Sequence, residues 1–195
     1  LRFVDNSELV TNNEIYIIDK FDLNMNGQGY LAIDNDGNDL YLQSRISTLL
    51  IKSSSIGEHI NIVMDTISSN WQPSGITFQS ITDSIVTIYR NMNELTQYRA
   101  RTISKDLSFS SVKDVIFNIN FIDTTSHGVY AIESKGSLFF MLGVDTTQTD
   151  ILIITDNAFQ VTSLDTITDP TVVGLCFKDD DLFLSYRNRR IEKWK

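Results

Sequence analysis

Side chains able to do nucleophilic or acid–base chemistry are scarce in this 195-residue chain: two histidines, His59 and His127, and one cysteine, Cys176. No Gly-x-Ser-x-Gly, phosphate-binding glycine loop or His-Glu-x-x-His is present to pair a nucleophile with a base or to hold a metal. Cys176 sits between Leu175 and Phe177 in an apolar run, the setting of an inert core thiol rather than a thiolate. His127 follows Asp123 closely enough for a dyad, but a turn hydrogen bond uses the same two groups. Asp34-Asn35-Asp36-Gly37-Asn38-Asp39 gathers hard oxygen donors around a glycine, as calcium loops do. With Gly37 at the sixth position, however, Ala32 and Gln43 fall where Asp and Glu are needed, so a tight hairpin is the better reading. Trp71, two residues before Pro73, either offers an aromatic face to a ligand or wedges between layers. This inventory predicts a chain that is not an enzyme and needs no cofactor or metal.

The more regular signal is cationic. Arg45, Arg90, Lys135 and Arg187 each close an apolar run, at intervals of 45, 45 and 52 residues, and two share a local sequence, Tyr89-Arg90-Asn91 and Tyr186-Arg187-Asn188. Acidic residues stand at the other ends of those runs: Asp34, Asp36, Asp39, Asp83, Asp123 and Asp179-Asp180-Asp181. If the runs align in space, the four cations form an arc on one face, with Tyr89 and Tyr186 as its apolar part. Such an arc would attract an acidic protein surface and steer its approach. The competing reading is that these are solvated hairpin ends.

Those residues must be positioned by strands. The chain has only two prolines and nine glycines, and its segments are rich in Ile, Val, Thr, Tyr and Phe, the composition of short strands between polar turns. Nothing reads as a convincing helix; the nearest stretch is 91–98. With 42% hydrophobic and 21% charged residues the chain can bury a sizeable core, and its net charge of −9 argues against general nucleic-acid binding. No apolar run is long enough to span a membrane and no signal peptide is visible, while a single cysteine and the absence of Asn-x-Ser/Thr favour an intracellular setting.

The strands repeat. Segments 30–51, 76–98, 119–141 and 174–194 share one order of apolar strand, turn, strand ending in a basic residue, turn and third strand, and Ile33, Phe78, Phe121 and Phe177 align. Alternation predicts that the pairs Leu31 and Ile33, Ile76 and Phe78, Ile119 and Phe121, and Leu175 and Phe177 pack between repeats. Periods of about 40 to 50 residues with three or four strands each are those of β-propeller blades. The predicted fold is therefore all-β, a β-propeller or propeller segment of about four blades, one domain with copies at 30–65, 75–111, 115–165 and 172–195.

The stretch from His127 to Phe140 resembles the second and third strands of a WD-repeat blade, with Gly136 in the turn between them, and Arg190-Ile191-Glu192-Lys193-Trp194 is similar to a third strand in which Trp194 matches the motif's Trp. No Gly-His pair and no Trp-Asp dipeptide occurs, so the resemblance is to degenerate WD-like propellers. It implies a non-enzymatic scaffold that binds other protein subunits of a larger assembly, through the basic arc or through open blade edges. Two alternatives stay open, a virion or phage tail component, suggested by the many Asn, Ser, Thr and Ile, and a carbohydrate-binding or hydrolytic propeller, which requires aromatic platforms and paired carboxylates around the central channel, little of either being visible in the aligned inner strands. The last copy ends after its third strand, and 14–23 is a candidate to supply the fourth.

Overall fold

The computed structural model describes residues 30–44, 47–54, 59–125 and 128–194; Arg45, His127 and the candidate closing strand 14–23 lie outside them. Within the described residues there are fifteen strands and no helix. The first sheet is β1 (Tyr30–Asn35), β2 (Asp39–Ser44), β3 (Leu49–Ser54) and β4 (His59–Met64). The second is β5 (Trp71–Gln79), β6 (Ser84–Asn91), β7 (Gln97–Ser104) and β8 (Lys113–Asn118), and the third is β9 (Val129–Lys135), β10 (Leu138–Val144), β11 (Asp150–Thr155) and β12 (Val161–Ile167). A fourth sheet holds β13 (Val172–Lys178), β14 (Asp181–Tyr186) and β15 (Ile191–Trp194). Every sheet is an antiparallel meander in sequence order. The four sheets form the blades of a four-blade β-propeller, with the first strand of each blade innermost.

Alternation decides which residues fill the space between blades. Tyr41 and Leu50 of the first blade meet Ile76, Ile85 and Ile103 of the second, with Tyr41 stacked on Phe78 at 6.3 Å between ring centroids. Val86, Ile88, Tyr98 and Phe117 meet Ile132, Phe139, Met141 and Phe159 between the second and third, where Phe117, Phe159 and Phe139 stack in series. Leu142, Leu152 and Ile167 meet Leu182, Leu184 and Tyr186 between the third and fourth. Side chains also reach across to the inner strands' backbones. Asp34 accepts the Phe78 N–H at 2.6 Å, the Ser134 hydroxyl donates to the Phe78 carbonyl at 2.6 Å, and Tyr98 Oη accepts the Val129 N–H at 3.1 Å. Neighbouring blades thus satisfy the backbone groups that an edge strand would leave unpaired.

Three expectations are corrected. The third copy was placed one strand too early: residues 119–121 belong to the connection between β8 and β9, and 129–135 is the first strand of its blade rather than the second. Ile119 and Ile122 are buried there, so an apolar run that lines an inter-blade core in a turn imitated a strand. Cys176 is exposed, because Leu175 and Phe177 turn toward the third blade and alternation sends Cys176 the other way. Ile33 is 57% exposed, although Phe78 and Phe177, its counterparts, are packed. Those counterparts face the preceding blade, whereas among the described residues no core cluster joins the fourth blade to the first.

The Asp34–Asp39 segment is a hairpin turn, as its composition predicts. Asp36 Oδ1 accepts the N–H groups of Asn38 and Asp39 at 3.0 and 2.8 Å, and Gly37 takes φ +92°, which a residue with a Cβ reaches only with strain.

Candidate functional site

Of the six residues read as a binding surface, the five within the described residues do not assemble into one. The turns joining first to second strands lie on one face of the propeller, and those joining second to third strands lie on the other. Lys135 ends a first strand, so it stands on the face opposite Arg90 and Arg187, where it pairs with Asp180 at 3.0 Å and bonds the Asp179 carbonyl. Arg90 is 5% exposed; its Nε donates to the Leu95 carbonyl and its terminal nitrogen to the Asp123 carbonyl, both at 2.7 Å. Tyr89 is wholly buried and donates to Asp65 at 2.8 Å, and buried Tyr186 donates to Glu192 at 2.7 Å. Arg187 is exposed, and Arg45 lies outside the described residues. Ends of strands between packed blades are not ends of the molecule: the turns and blade connections on this face fold over them and supply carbonyls.

The same loops carry a signal that the sequence reading passed over. Asp123, Asp145 and Asp169 each stand two residues before a threonine, and in each case the carboxylate accepts that threonine's N–H (2.8–3.0 Å) and hydroxyl (2.6–2.9 Å). These Asp-x-Thr turns put acidic groups on the face that carries Arg90 and Arg187, so the propeller is not electrically two-sided. Trp71 is buried at the start of β5 with the Arg99 guanidinium 4.5 Å from its ring, and offers no open aromatic face.

Chemistry gathers instead around the axis. Asp34 from β1, Glu133 from β9 and Cys176 from β13 interact electrostatically across the inner strands. Burial pushes the Glu133 carboxyl up to about 9, with the charge of Asp34 adding to the effect. Burial likewise raises Asp34 above the ordinary carboxylate range, against the N–H groups of Phe78 and Asn35 that favour its charged form. Although Cys176 is exposed, partial desolvation of its sulfur at the inner strands raises the thiol, and the charges of Glu133 and Asp34 add to this, which keeps it protonated and a poor nucleophile. Burial and the charge of Asp34 thus both favour the protonated form of Glu133. Among the described residues no group of three His, Cys, Asp or Glu side chains could hold a metal ion.

A direct consequence is testable. Between the ordinary glutamate value of 4.5 and about 9, folded Glu133 keeps a proton that the unfolded chain has released, so raising pH in that window favours unfolding. The thermal midpoint should fall from pH 5 to pH 8.5, and Glu133→Gln should flatten that fall. Parallel profiles for the two proteins, followed by circular dichroism, would show that Glu133 ionises freely in the fold.

No family model matches this sequence, and a search of curated proteins finds no relative. Solved structures do match in shape. The chain is 12% identical to a chain of a nidogen/laminin complex over 86% of its own length and 60% of that chain, with a TM-score of 0.60. Against a glutaminyl cyclase of Myxococcus xanthus the identity is 11%, over 84% of this chain and 73% of that one, with a TM-score of 0.57. The WD40 β-propeller domain of Doa1 is matched at 9% identity over 87% of this chain and 52% of that one, with a TM-score of 0.52. The β-propeller fold is what these likenesses share with the chain.

Proposed function

We propose that this chain is a non-enzymatic protein-interaction scaffold of the degenerate WD-like kind, working inside the cell as a subunit or part of a larger assembly. The observation that carries the proposal is the leading side of the first blade. Strand register aligns Ile33, Leu42, Ile51 and Ile62 in one row across β1 to β4, on the side that in the other blades packs against a preceding blade. Leu42 and Ile51 are buried, but Ile33, Ile60, Ile62 and Met64 around them are 57%, 54%, 51% and 66% exposed. Four large apolar side chains on one sheet face exceed the scattered exposure of an ordinary surface, and their chemistry suits a second apolar sheet face. The chain also spans only 52% of the Doa1 propeller domain, in which further chain stands beyond the matched blades. The experiment is reconstitution from purified components, with partners recovered on the wild-type protein tested one by one against Ile62→Lys/Met64→Lys. At least tenfold weaker binding by the variant, with an unchanged circular dichroism spectrum, supports the reading. Equal binding of every partner overturns it.

The axial carboxyls favour a second reading, a ligand-binding or hydrolytic propeller, because Asp34 and Glu133 provide the paired carboxylates that such a propeller requires.

A further inference from the structure

A cavity of about 490 Å³ opens where the connection from β12 to β13 meets β14 and β15. That volume lies within the range of small-ligand sites. Its lining includes Asp169, Tyr186, Arg190, Glu192 and Trp194. On its wall the Arg190 guanidinium lies over the Tyr186 ring, 4.2 Å from the centroid, donates to Asp169 Oδ2 at 2.5 Å and pairs through Nε with Glu192 Oε1 at 3.2 Å. An aromatic face and two carboxylates at the edges of a planar cation are what recognition of a guanidinium needs.

The receptor half of this arrangement does not depend on Arg190 for its shape. Asp169 is oriented by Thr171, whose N–H and hydroxyl bond Oδ1 at 3.0 and 2.6 Å, leaving Oδ2 for the guanidinium. Glu192 is held by the Tyr186 hydroxyl on Oε2, leaving Oε1 free to pair. Tyr186 itself is packed at 4% exposure in the core between the third and fourth blades. The cation, by contrast, comes from the turn between β14 and β15 on a side chain 42% exposed. A fixed acceptor thus faces a solvent-accessible occupant supplied by the same chain.

We propose that this cavity is a guanidinium receptor which Arg190 occupies from within, and that an arginine side chain presented by a partner protein takes the same place when Arg190 swings out. Arg190 then acts as a competitor in cis, setting how strongly the partner's arginine binds. The inference goes beyond the scaffold reading and stands apart from it, since it uses the opposite end of the blade series from Ile33 and Met64.

The test uses the full chain and N-acetyl-arginine amide as probe, read by titration calorimetry and by the fluorescence of Trp194, which lines the cavity while Trp71 is buried elsewhere. Arg190→Ala should bind the probe at least tenfold more tightly than the wild type does. It should also prefer it at least tenfold over N-acetyl-lysine amide, whose compact ammonium cannot stack on Tyr186 and reach both carboxylates at once. Adding Asp169→Asn to Arg190→Ala should abolish the gain. Arg190→Gln, which keeps most of the side chain's packing, should behave as Arg190→Ala and serves if the alanine variant does not fold. A folded variant at position 190 that binds no more tightly than wild type, or binding indifferent to Asp169→Asn or to the choice of arginine over lysine, overturns the proposal.

Discussion

Gly128→Ala is expected to destabilise the protein by about 2–5 kcal/mol, the sum of about 1–3 kcal/mol for overpacking a buried site and about 1–2 kcal/mol for the backbone conformation. Gly128 takes φ +66°, and a Cβ there would collide with Tyr98 Oη and lie 2.8 Å from Arg90 Cζ. Neither neighbour has room to yield. Tyr98 is wholly buried, stacks on Phe117 at 5.7 Å and accepts the Val129 N–H, so its displacement would unpair the first strand of the third blade. Arg90 is fixed by two carbonyls from different loops. Gly37→Ala is the control, because φ is also positive there, at +92°, but nothing lies within 4 Å of the added carbon. It should cost about 1–2 kcal/mol for the backbone conformation alone. Denaturant midpoints of the two variants and the wild type separate the contributions. A Gly128→Ala loss no larger than that of Gly37→Ala would mean that Tyr98 and Arg90 move aside freely.

That junction also shows why the sequence was readable in one respect and opaque in another. The period of the strands, their composition and the Asp36-Gly37 turn depend on neighbours within a few residues, and they led to an all-β propeller of about four blades. The third copy slipped because Ile119 to Ile122 is as apolar as a strand, although its burial comes from lying between two blades. Arg90 looked exposed because a cation at the end of a strand usually is, and only the fold brings the carbonyl of Asp123 over it. The axial carboxyls were harder still. Asp34 reads as a turn residue and Glu133 as a strand residue about a hundred positions away, and the electrostatic effect of one on the other arises only when the inner strands of different blades converge. Local grammar reports elements; charge states belong to contacts between them.

The buried ion pair between the first two blades should have the other large effect. Asp65, 3% exposed in the connection after β4, accepts the Tyr89 hydroxyl at 2.8 Å and pairs with Arg101, whose Nε also reaches Asp114 at 2.8 Å. Burial raises the Asp65 carboxyl above its ordinary 3.8, while the Tyr89 hydroxyl and the Arg101 charge pull it back. Removing the cation leaves a buried carboxylate with only the Tyr89 phenol and the Thr66 N–H to offset burial and the charge of Asp114. Arg101→Met, which keeps an unbranched apolar stem, should therefore cost about 3–5 kcal/mol at pH 7.5. The deficit must depend on pH in a definite direction. With its folded value raised, Asp65 holds a proton in the folded chain at pH values where the unfolded chain has lost it, so the variant's penalty is smallest below about pH 4 and grows as pH rises through the folded value. Adding Asp65→Asn to Arg101→Met should restore part of the loss at pH 7.5, since a neutral amide needs no counter-charge and can still bond Tyr89. Urea unfolding at pH 4 and pH 7.5 reads both effects. An Arg101→Met deficit equal at the two pH values, or one that Asp65→Asn deepens, would mean that the guanidinium acts here by packing alone and that the Asp65 charge is compensated by Tyr89 without it.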